Sequence, residues 1–358
     1  MRNRVDKSDT VITTSAFALF VLKMKDATTV FFDEDTDISL LSEVIAIIGY
    51  GNQGRAQAQN LRDSGMDVII GNIHDEYWRE AEADGFDVFG ISEAVKRARF
   101  IMVPIPDEAQ PSIFEEQILP ELEPNKVLCF ASGYNVTFEQ INPLPENDVI
   151  LVAPRMIGAG VRNAYENDRG FYVFIGIHND ASGSARQYAL ALSKGIGATK
   201  PGGAILEVGF RQETELDLFN EQCFGPAFGQ VLTTAVDVAI EAGYPPEAVL
   251  IEIYMSGELA YTMEKIAKLG TLKQLELHSP TSQYGSMSRG IRYANPELRE
   301  QMQKSLGEIQ DGSFAKEFAK ECELDLEILD DMKEMAQDVP IVVLDNEVRK
   351  RLRYKSDE

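Results

Sequence analysis

Short apolar runs recur through the first half of the chain, each followed by a glycine or proline turn and then by an amphipathic stretch. The first run, Val44-Ile45-Ala46-Ile47-Ile48, has no polar member, as a strand covered on both faces requires. A glycine turn follows, then a helix expected over 53–64 that Gly65 closes, then a strand over 67–70. Strand, turn, helix and strand fit within about 30 residues, the size of one βαβ unit. The alternation continues with helices near 77–83 and 91–97 and a strand over 100–103 that Pro104 and Pro106 stop. Further strands are expected over 127–130, 149–153 and 172–177. Strands alternating with helices predict an α/β Rossmann domain, a doubly wound parallel sheet with helices on both faces.

From Gly209 onward the pattern changes to long helical stretches rich in Glu, Leu, Ala and Met, which predicts a second, all-α domain after the Pro201-Gly202-Gly203 break. The expected division is an N-terminal extension over 1–27, a Rossmann domain over 28–206 and an all-helical domain over 207–333. Residues 334–358, dense in Asp, Glu, Lys and Arg, read as a solvated tail. The apolar stretch 16–22 mimics a weak leader, but Asp6 and Asp9 interrupt its basic flank and no small-residue cleavage site follows.

Gly49-Tyr50-Gly51-Asn52-Gln53-Gly54 matches G-x-G-x-x-G and sits between the first strand and the first helix. There the glycines permit a tight turn, close backbone approach to a pyrophosphate and close helix–sheet packing. Asn72, Ile73, His74, Asp75 and Glu76 follow the second strand, where the adenosine ribose is read. Asp75 and Glu76 accept from a free 2′-hydroxyl and repel a 2′-phosphate, so NAD is favoured over NADP; capping of the next helix is their other reading. Pro104-Ile105-Pro106-Asp107 ends a strand beside the expected dinucleotide path, with a rigid loop as the alternative.

In the stretch from Glu213 to Glu221, Asp217 and Glu221 lie one helical turn apart and share a face. Two oxygen ligands on one helix suit Mg²⁺; a solvated acidic face is the other reading. The formal charge of −24, from 34 basic and 58 acidic side chains, argues against nucleic acid and anionic lipid as partners. Cys129, Cys223 and Cys322 are few, odd in number and widely spaced, as in the reducing cytoplasm. No uninterrupted apolar run reaches the roughly 20 residues that span a bilayer.

With both sites in place, the chain resembles the ketol-acid reductoisomerase family of branched-chain amino-acid biosynthesis. The resemblance begins at Phe31-Phe32-Asp33-Glu34-Asp35-Thr36-Asp37 and runs through the glycine turn, Asn60-Leu61-Arg62-Asp63-Ser64-Gly65, Ser132-Gly133-Tyr134-Asn135-Val136 and Ala153-Pro154-Arg155. It continues through Asp217-Leu218-Phe219-Asn220-Glu221-Gln222 and Ser279-Pro280-Thr281-Ser282-Gln283-Tyr284-Gly285. The family's reaction is an alkyl shift in a 2-hydroxy-2-acyl acid, assisted by two Mg²⁺ ions and followed by hydride delivery from NADPH. The resemblance implies a homodimer or higher homo-oligomer with intertwined helical domains. It also implies a dinucleotide site bordered by Pro106 and Gly133, metal at Asp217 and Glu221 with Glu252 and Glu258, and a substrate contact at Ser279.

The chain departs from the family where chemistry is expected. Ser132 replaces a histidine and Arg155 a lysine; a guanidinium keeps the cation but cannot release a proton. Met156-Ile157-Gly158-Ala159-Gly160 replaces a Gly-Pro-Gly-His segment, and Ile73 stands where the family has an arginine. Glu252 and Glu258 are six residues apart rather than one turn apart, so at ~100° per residue they share a face only if the helix is distorted near Gly257. The expected activity is NAD(P)-dependent oxidoreduction of a small 2-keto or 2-hydroxy acid with Mg²⁺. In it Glu221 holds metal at the reacting centre, Arg155 pairs with a substrate carboxylate and Ser132 hydrogen-bonds the reacting oxygen. A non-isomerising reductase of a hydroxy acid, keto acid or imine and an inactive dinucleotide-binding protein are the alternatives.

Overall fold

The computed structural model describes residues 28–354, so the extension over 1–27 lies outside it. The chain divides into two compact units, one ending at Thr214 and the other beginning at Glu215. The first unit is built on a nine-stranded sheet. Its strands are β1 (Val30–Phe31), β2 (Ile45–Ile48), β3 (Val68–Gly71), β4 (Asp87–Phe89), β5 (Phe100–Val103), β6 (Val127–Phe130), β7 (Asp148–Pro154), β8 (Tyr172–Asn179) and β9 (Ala204–Glu207). They lie in the order β1-β9-β8-β7-β6-β5-β2-β3-β4. Helices α1 (Asn52–Asp63), α2 (Glu76–Ala83), α3 (Ile91–Arg97), α4 (Gly158–Glu166) and α5 (Ala185–Gly195) connect them.

The sheet is mixed rather than wholly parallel. Strands β4, β3, β2, β5, β6 and β7 run parallel, but β8 pairs antiparallel with β7, and β1 pairs antiparallel with β9. The period of two along each strand divides its side chains between two cores. Ile45 and Ile47, Phe100 and Met102, and Ile150 and Val152 enter one. Ala46 and Ile48, Ile101 and Val103, and Val149 and Leu151 enter the other. Each fully buried Ile, Leu or Phe contributes roughly 1.5–3 kcal/mol, so both faces must be covered, and uninterrupted apolar strands result.

Lys126, 6 % exposed at the foot of β6, donates from Nζ to the carbonyls of Val95 and, at 3.1 Å, Lys96. It thereby caps the carboxyl end of α3, where a cation is favoured. Burial lowers its pKa from the usual lysine value.

The second unit is helical: α6 (Phe210–Phe219) runs into it, followed by α7 (Gly225–Glu241), α8 (Glu258–Leu269), α9 (Pro280–Gly290), α10 (Pro296–Gln310), α11 (Ser313–Glu323), α12 (Glu327–Ala336) and α13 (Pro340–Arg351). Residues 334–358 therefore are not a tail throughout, because Val348 of α13 is 2 % exposed and packs with Val236, Val249 and Leu250. Ile341, Leu344 and Val348 form the apolar stripe that draws this charged segment into the core. Helix Phe210–Glu241 is, among the described residues, long and apolar enough to cross a membrane by length and composition alone. Its Asn220, Glu221, Gln222 and Asp237 had hidden that length from an apolar-run count.

Candidate active site

Each glycine of the turn has its own reason to be glycine. Gly49 has φ +93°, and a Cβ there would lie 2.3 Å from Ile105 Cγ2. A Cβ on Gly54 would lie 2.0 Å from the Gly49 carbonyl oxygen. Gly51 has no heavy atom within 4 Å of its Cβ position, so that side is open. Beyond it lies a groove of about 570 Å³ lined by Gly49–Gln53, Asn72, Ile73 and Asp75 on one side and by Pro104–Asp107 and Ser132 on the other. Helix α1 starts at Asn52, so the first-turn N–H groups and positive dipole end that a helix start presents favour an anion there. Open backbone at Gly51 beside a helix start fits a pyrophosphate. Tyr50 borders the groove but is 1 % exposed, and its hydroxyl donates to Asp84 Oδ2 at 2.8 Å. Burial raises its pKa, and the residue braces the turn against the end of α2.

At the ribose end, Asp75 Oδ1 accepts from the Trp78 N–H at 3.0 Å and from Asn72 Nδ2 at 2.8 Å. Asp75 thus caps α2 and lines the groove at once, so the two readings of its carboxylate are compatible. Glu76 is the first residue of that helix.

At the other end, Ser132 Oγ lies 3.5 Å from Asp107 Oδ2 and accepts from the Tyr134 N–H at 3.2 Å. The Gly133 N–H donates to Glu213 Oε2 at 2.9 Å, while Glu213 Oε1 lies 2.7 Å from Arg155 Nη1. Glu213 is 1 % exposed. Arg155, expected at a substrate carboxylate, has this internal carboxylate as its partner, and its guanidinium stacks over Phe174 at 5.1 Å. The segment after Arg155 is fastened to the glycine turn. Gln53 Nε2 donates to the Met156 carbonyl at 2.8 Å, and a Cβ on Gly158 would lie 2.0 Å from the Asn52 carbonyl oxygen.

In the helical unit, Asp217 is half-buried in α6 and Glu221 is exposed in a π-helical turn, Asn220–Phe224. Glu252 lies in a second π turn, Ile251–Met255, and Glu258 opens α8 directly after Gly257, whose φ is +82°. The six-residue spacing is therefore not measured along one regular helix. A wide turn and a left-handed glycine reset the register between the two glutamates. Ser279 is the N-cap of α9, its Oγ accepting from the Ser282 N–H at 3.3 Å. Among the described residues of one chain, no three His, Cys, Asp or Glu side chains come together as a metal site.

Of the residues the sequence assigned to the dinucleotide, Gly49–Gln53, Asp75 and Pro106 line one groove, while Gly54, Glu76 and Gly133 do not; Ser132, assigned to the reacting oxygen, lines the same groove. Sequence reasoning missed Glu213, Gln110 and Asn135. Glu213 differs from its acidic neighbours only in being buried, which spacing along the chain does not reveal.

A glycine turn at the carboxyl end of β2, a groove across the sheet and a polar residue at its far end define a nicotinamide-dinucleotide-dependent oxidoreductase. The NADPH-binding-domain model of acetohydroxy acid isomeroreductase matches residues 39–202, and the ketol-acid reductoisomerase C-terminal-domain model matches 210–353. The chain belongs to the ketol-acid reductoisomerase family. It is 42 % identical over 319 residues to a putative ketol-acid reductoisomerase 3 of Saccharolobus solfataricus, covering 88 % of this chain and 96 % of that one. A solved NADH-preferring ketol-acid reductoisomerase from an uncultured archaeon superimposes with a TM-score of 0.85 at 35 % identity, over 90 % of this chain and 98 % of that one. A semialdehyde dehydrogenase NAD-binding protein from Cupriavidus necator, at TM-score 0.56 and 17 % identity over 75 % of this chain and 99 % of that one, shares the fold alone.

Proposed function

We propose that this chain is an NADH-preferring, Mg²⁺-assisted reductoisomerase of a small 2-hydroxy-2-acyl acid, working as a homodimer. The observation that carries the reading is the groove that ends at Ser132 in a chain of this family. When bound, the dinucleotide would supply the hydride, and Gly51 with the start of α1 would hold its pyrophosphate. The preference for NADH rests on Asp75, whose carboxylate faces the ribose end of the groove, and on Ile73, which offers a 2′-phosphate no cation.

Asp217, Glu221, Glu252 and Glu258 offer the hard oxygen donors that Mg²⁺ prefers, and would hold it. The ion would polarise the substrate oxygens. Exposed Glu221, Glu252 and Glu258 on a single chain suit a site completed by a second copy. Apolar residues such as Val231, Val238, Met287 and Ile291, each at least 60 % exposed, supply surface for that association. Free Cys129, Cys223 and Cys322 accord with a cytoplasmic location.

A non-isomerising reductase is the second reading. It is favoured by one observation, the engagement of Arg155 by Glu213, which leaves at that position a fixed cation with no proton to give. Oxidation of NADH and NADPH with 2-acetolactate and, separately, with 3-hydroxy-3-methyl-2-oxobutanoate, each with and without Mg²⁺, tests both. The reductoisomerase turns over both substrates with Mg²⁺ and prefers NADH. Turnover of the second substrate alone establishes the reductase, and silence with both refutes the two readings.

A further inference from the structure

We infer that Asp107 is the terminal proton acceptor and donor of a relay that reaches the substrate through Ser132; the inference rests on the reading of Proposed function. Both residues line the groove, and Ser132 Oγ is 3.5 Å from Asp107 Oδ2. Catalytic hydrogen bonds are often this long before substrate arrives and tighten in the complex.

The two oxygens of Asp107 are in different surroundings. Gln110 Nε2 donates to Oδ1 at 3.3 Å, and Asn135 Nδ2 reaches the same atom at 3.5 Å. Those amides are themselves fixed: Asn135 Nδ2 also donates to the Asp107 carbonyl at 2.9 Å and to Gln110 Oε1 at 3.1 Å, and both residues are 2 % exposed. Oδ2 is thereby aimed at Ser132.

The polarity of Ser132 follows from its neighbours. Its Oγ accepts from the Tyr134 N–H at 3.2 Å, and its proton points to Asp107. One lone pair remains, which accepts from a hydroxyl of the substrate rather than donating to its ketone. A serine hydroxyl is far too weak a base to hold a proton at neutral pH, but it passes one on. As the substrate O–H bond breaks, a new O–H bond forms at Oγ; the original Oγ–H bond breaks, and a new one forms at Asp107 Oδ2. One proton has moved from substrate to carboxylate, and no electrons have left the substrate. Run in reverse, the same relay protonates the oxygen that hydride delivery leaves negative.

Charged groups close to this pair along the chain or through its contacts include Glu108, next to Asp107 in sequence, and Glu213, bound to the Gly133 N–H with Arg155 on its other oxygen. Arg155 offsets the charge of Glu213 at 2.7 Å.

The test compares wild type, Asp107→Asn, Ser132→Ala and the double variant, with Mg²⁺ and NADH, on 2-acetolactate and, separately, on 3-hydroxy-3-methyl-2-oxobutanoate across pH, alongside NADH binding by fluorescence. Asp107→Asn keeps the size of the side chain and its contacts to Asn135. It is expected to lower kcat by about 100-fold or more while NADH affinity stays within about threefold, and to abolish the acid limb of kcat/KM. The double variant is expected to lose no more than the worse single one, because both residues serve one relay. A merely structural role would move NADH affinity and leave the acid limb in place. An active wild type whose Asp107→Asn variant is within about threefold of it, or losses that multiply in the double variant, overturn the relay alone. A wild type silent with both substrates removes the relay together with the reading it rests on.

Discussion

Arg155 Nη1 lies 2.7 Å from Glu213 Oε1, and the other oxygen of that carboxylate holds the Gly133 N–H at 2.9 Å. One buried carboxylate thus ties the end of β7 to the loop that carries Ser132. Removing one partner of a buried pair leaves an uncompensated charge, which costs about 3–5 kcal/mol when both are buried. Arg155 keeps a quarter of its side chain in solvent, so the expected loss for Arg155→Met is nearer 2 kcal/mol. Urea unfolding measures it, and a loss below about 0.5 kcal/mol contradicts a stabilising role for the Arg155–Glu213 pair.

Gly158→Ala puts a methyl where the Asn52 carbonyl oxygen stands 2.0 Å away. Backbone cannot swing aside as a flexible side chain can, so the glycine turn must shift. NADH affinity is expected to fall by at least about tenfold, roughly 1.4 kcal/mol, read by fluorescence titration. Unchanged affinity would mean that the two segments move independently.

Asp75 combines a cap and a charge, and two substitutions separate them. Asn retains the capping oxygen for the Trp78 N–H and removes the negative charge. Asp75→Asn is expected to leave stability nearly unchanged and to move the NADPH-to-NADH ratio of kcat/KM about tenfold toward NADPH, roughly 1.4 kcal/mol. Asp75→Ala adds the loss of the cap, about 1 kcal/mol in thermal or urea unfolding. A ratio that does not move with Asn assigns the preference elsewhere.

His178 lies against Phe210 with ring centroids 5.6 Å apart, and burial lowers its pKa below the ordinary 6.5. As pH falls through that value the unfolded chain takes up the proton first, so stability declines from about pH 6.5 down to the folded-state value and then levels. His178→Gln is expected to flatten this segment of the stability–pH curve. An unchanged slope in the variant would place its origin in other groups.

The uninterrupted strands were legible because burial on both faces admits no polar residue, and β5 and β6 have the ends their sequences predict. Three strands were not legible. β1 has two residues and β4 three, too few to show a period, and β9 has four but ends in the half-buried Leu206 and Glu207 rather than in an unbroken apolar run. The reversed direction of β8 was also hidden, since the alternation of buried and half-buried residues along it reads the same from either end. In the helical unit, charge density concealed the stripe of α13, though Ile341, Leu344 and Val348 carry the helical spacing. Gly257 did signal the reset between Glu252 and Glu258, because a glycine amid helix formers is costly unless the backbone needs it. The choice of Glu213 among so many carboxylates required the fold itself.

The placement of Val348 against Val236, Val249 and Leu250 bears on how the protein is made. A chain leaves the ribosome from its amino end, and domains commonly fold in that order. All nine strands have been synthesised once Glu207 is reached, so the dinucleotide-binding unit can close early. The helical unit must keep its apolar surface waiting until Val348 has emerged. During that interval Val236 and Leu250 are exposed apolar surface rather than core, so the last stretch of translation is the one in which this unit is most prone to aggregate.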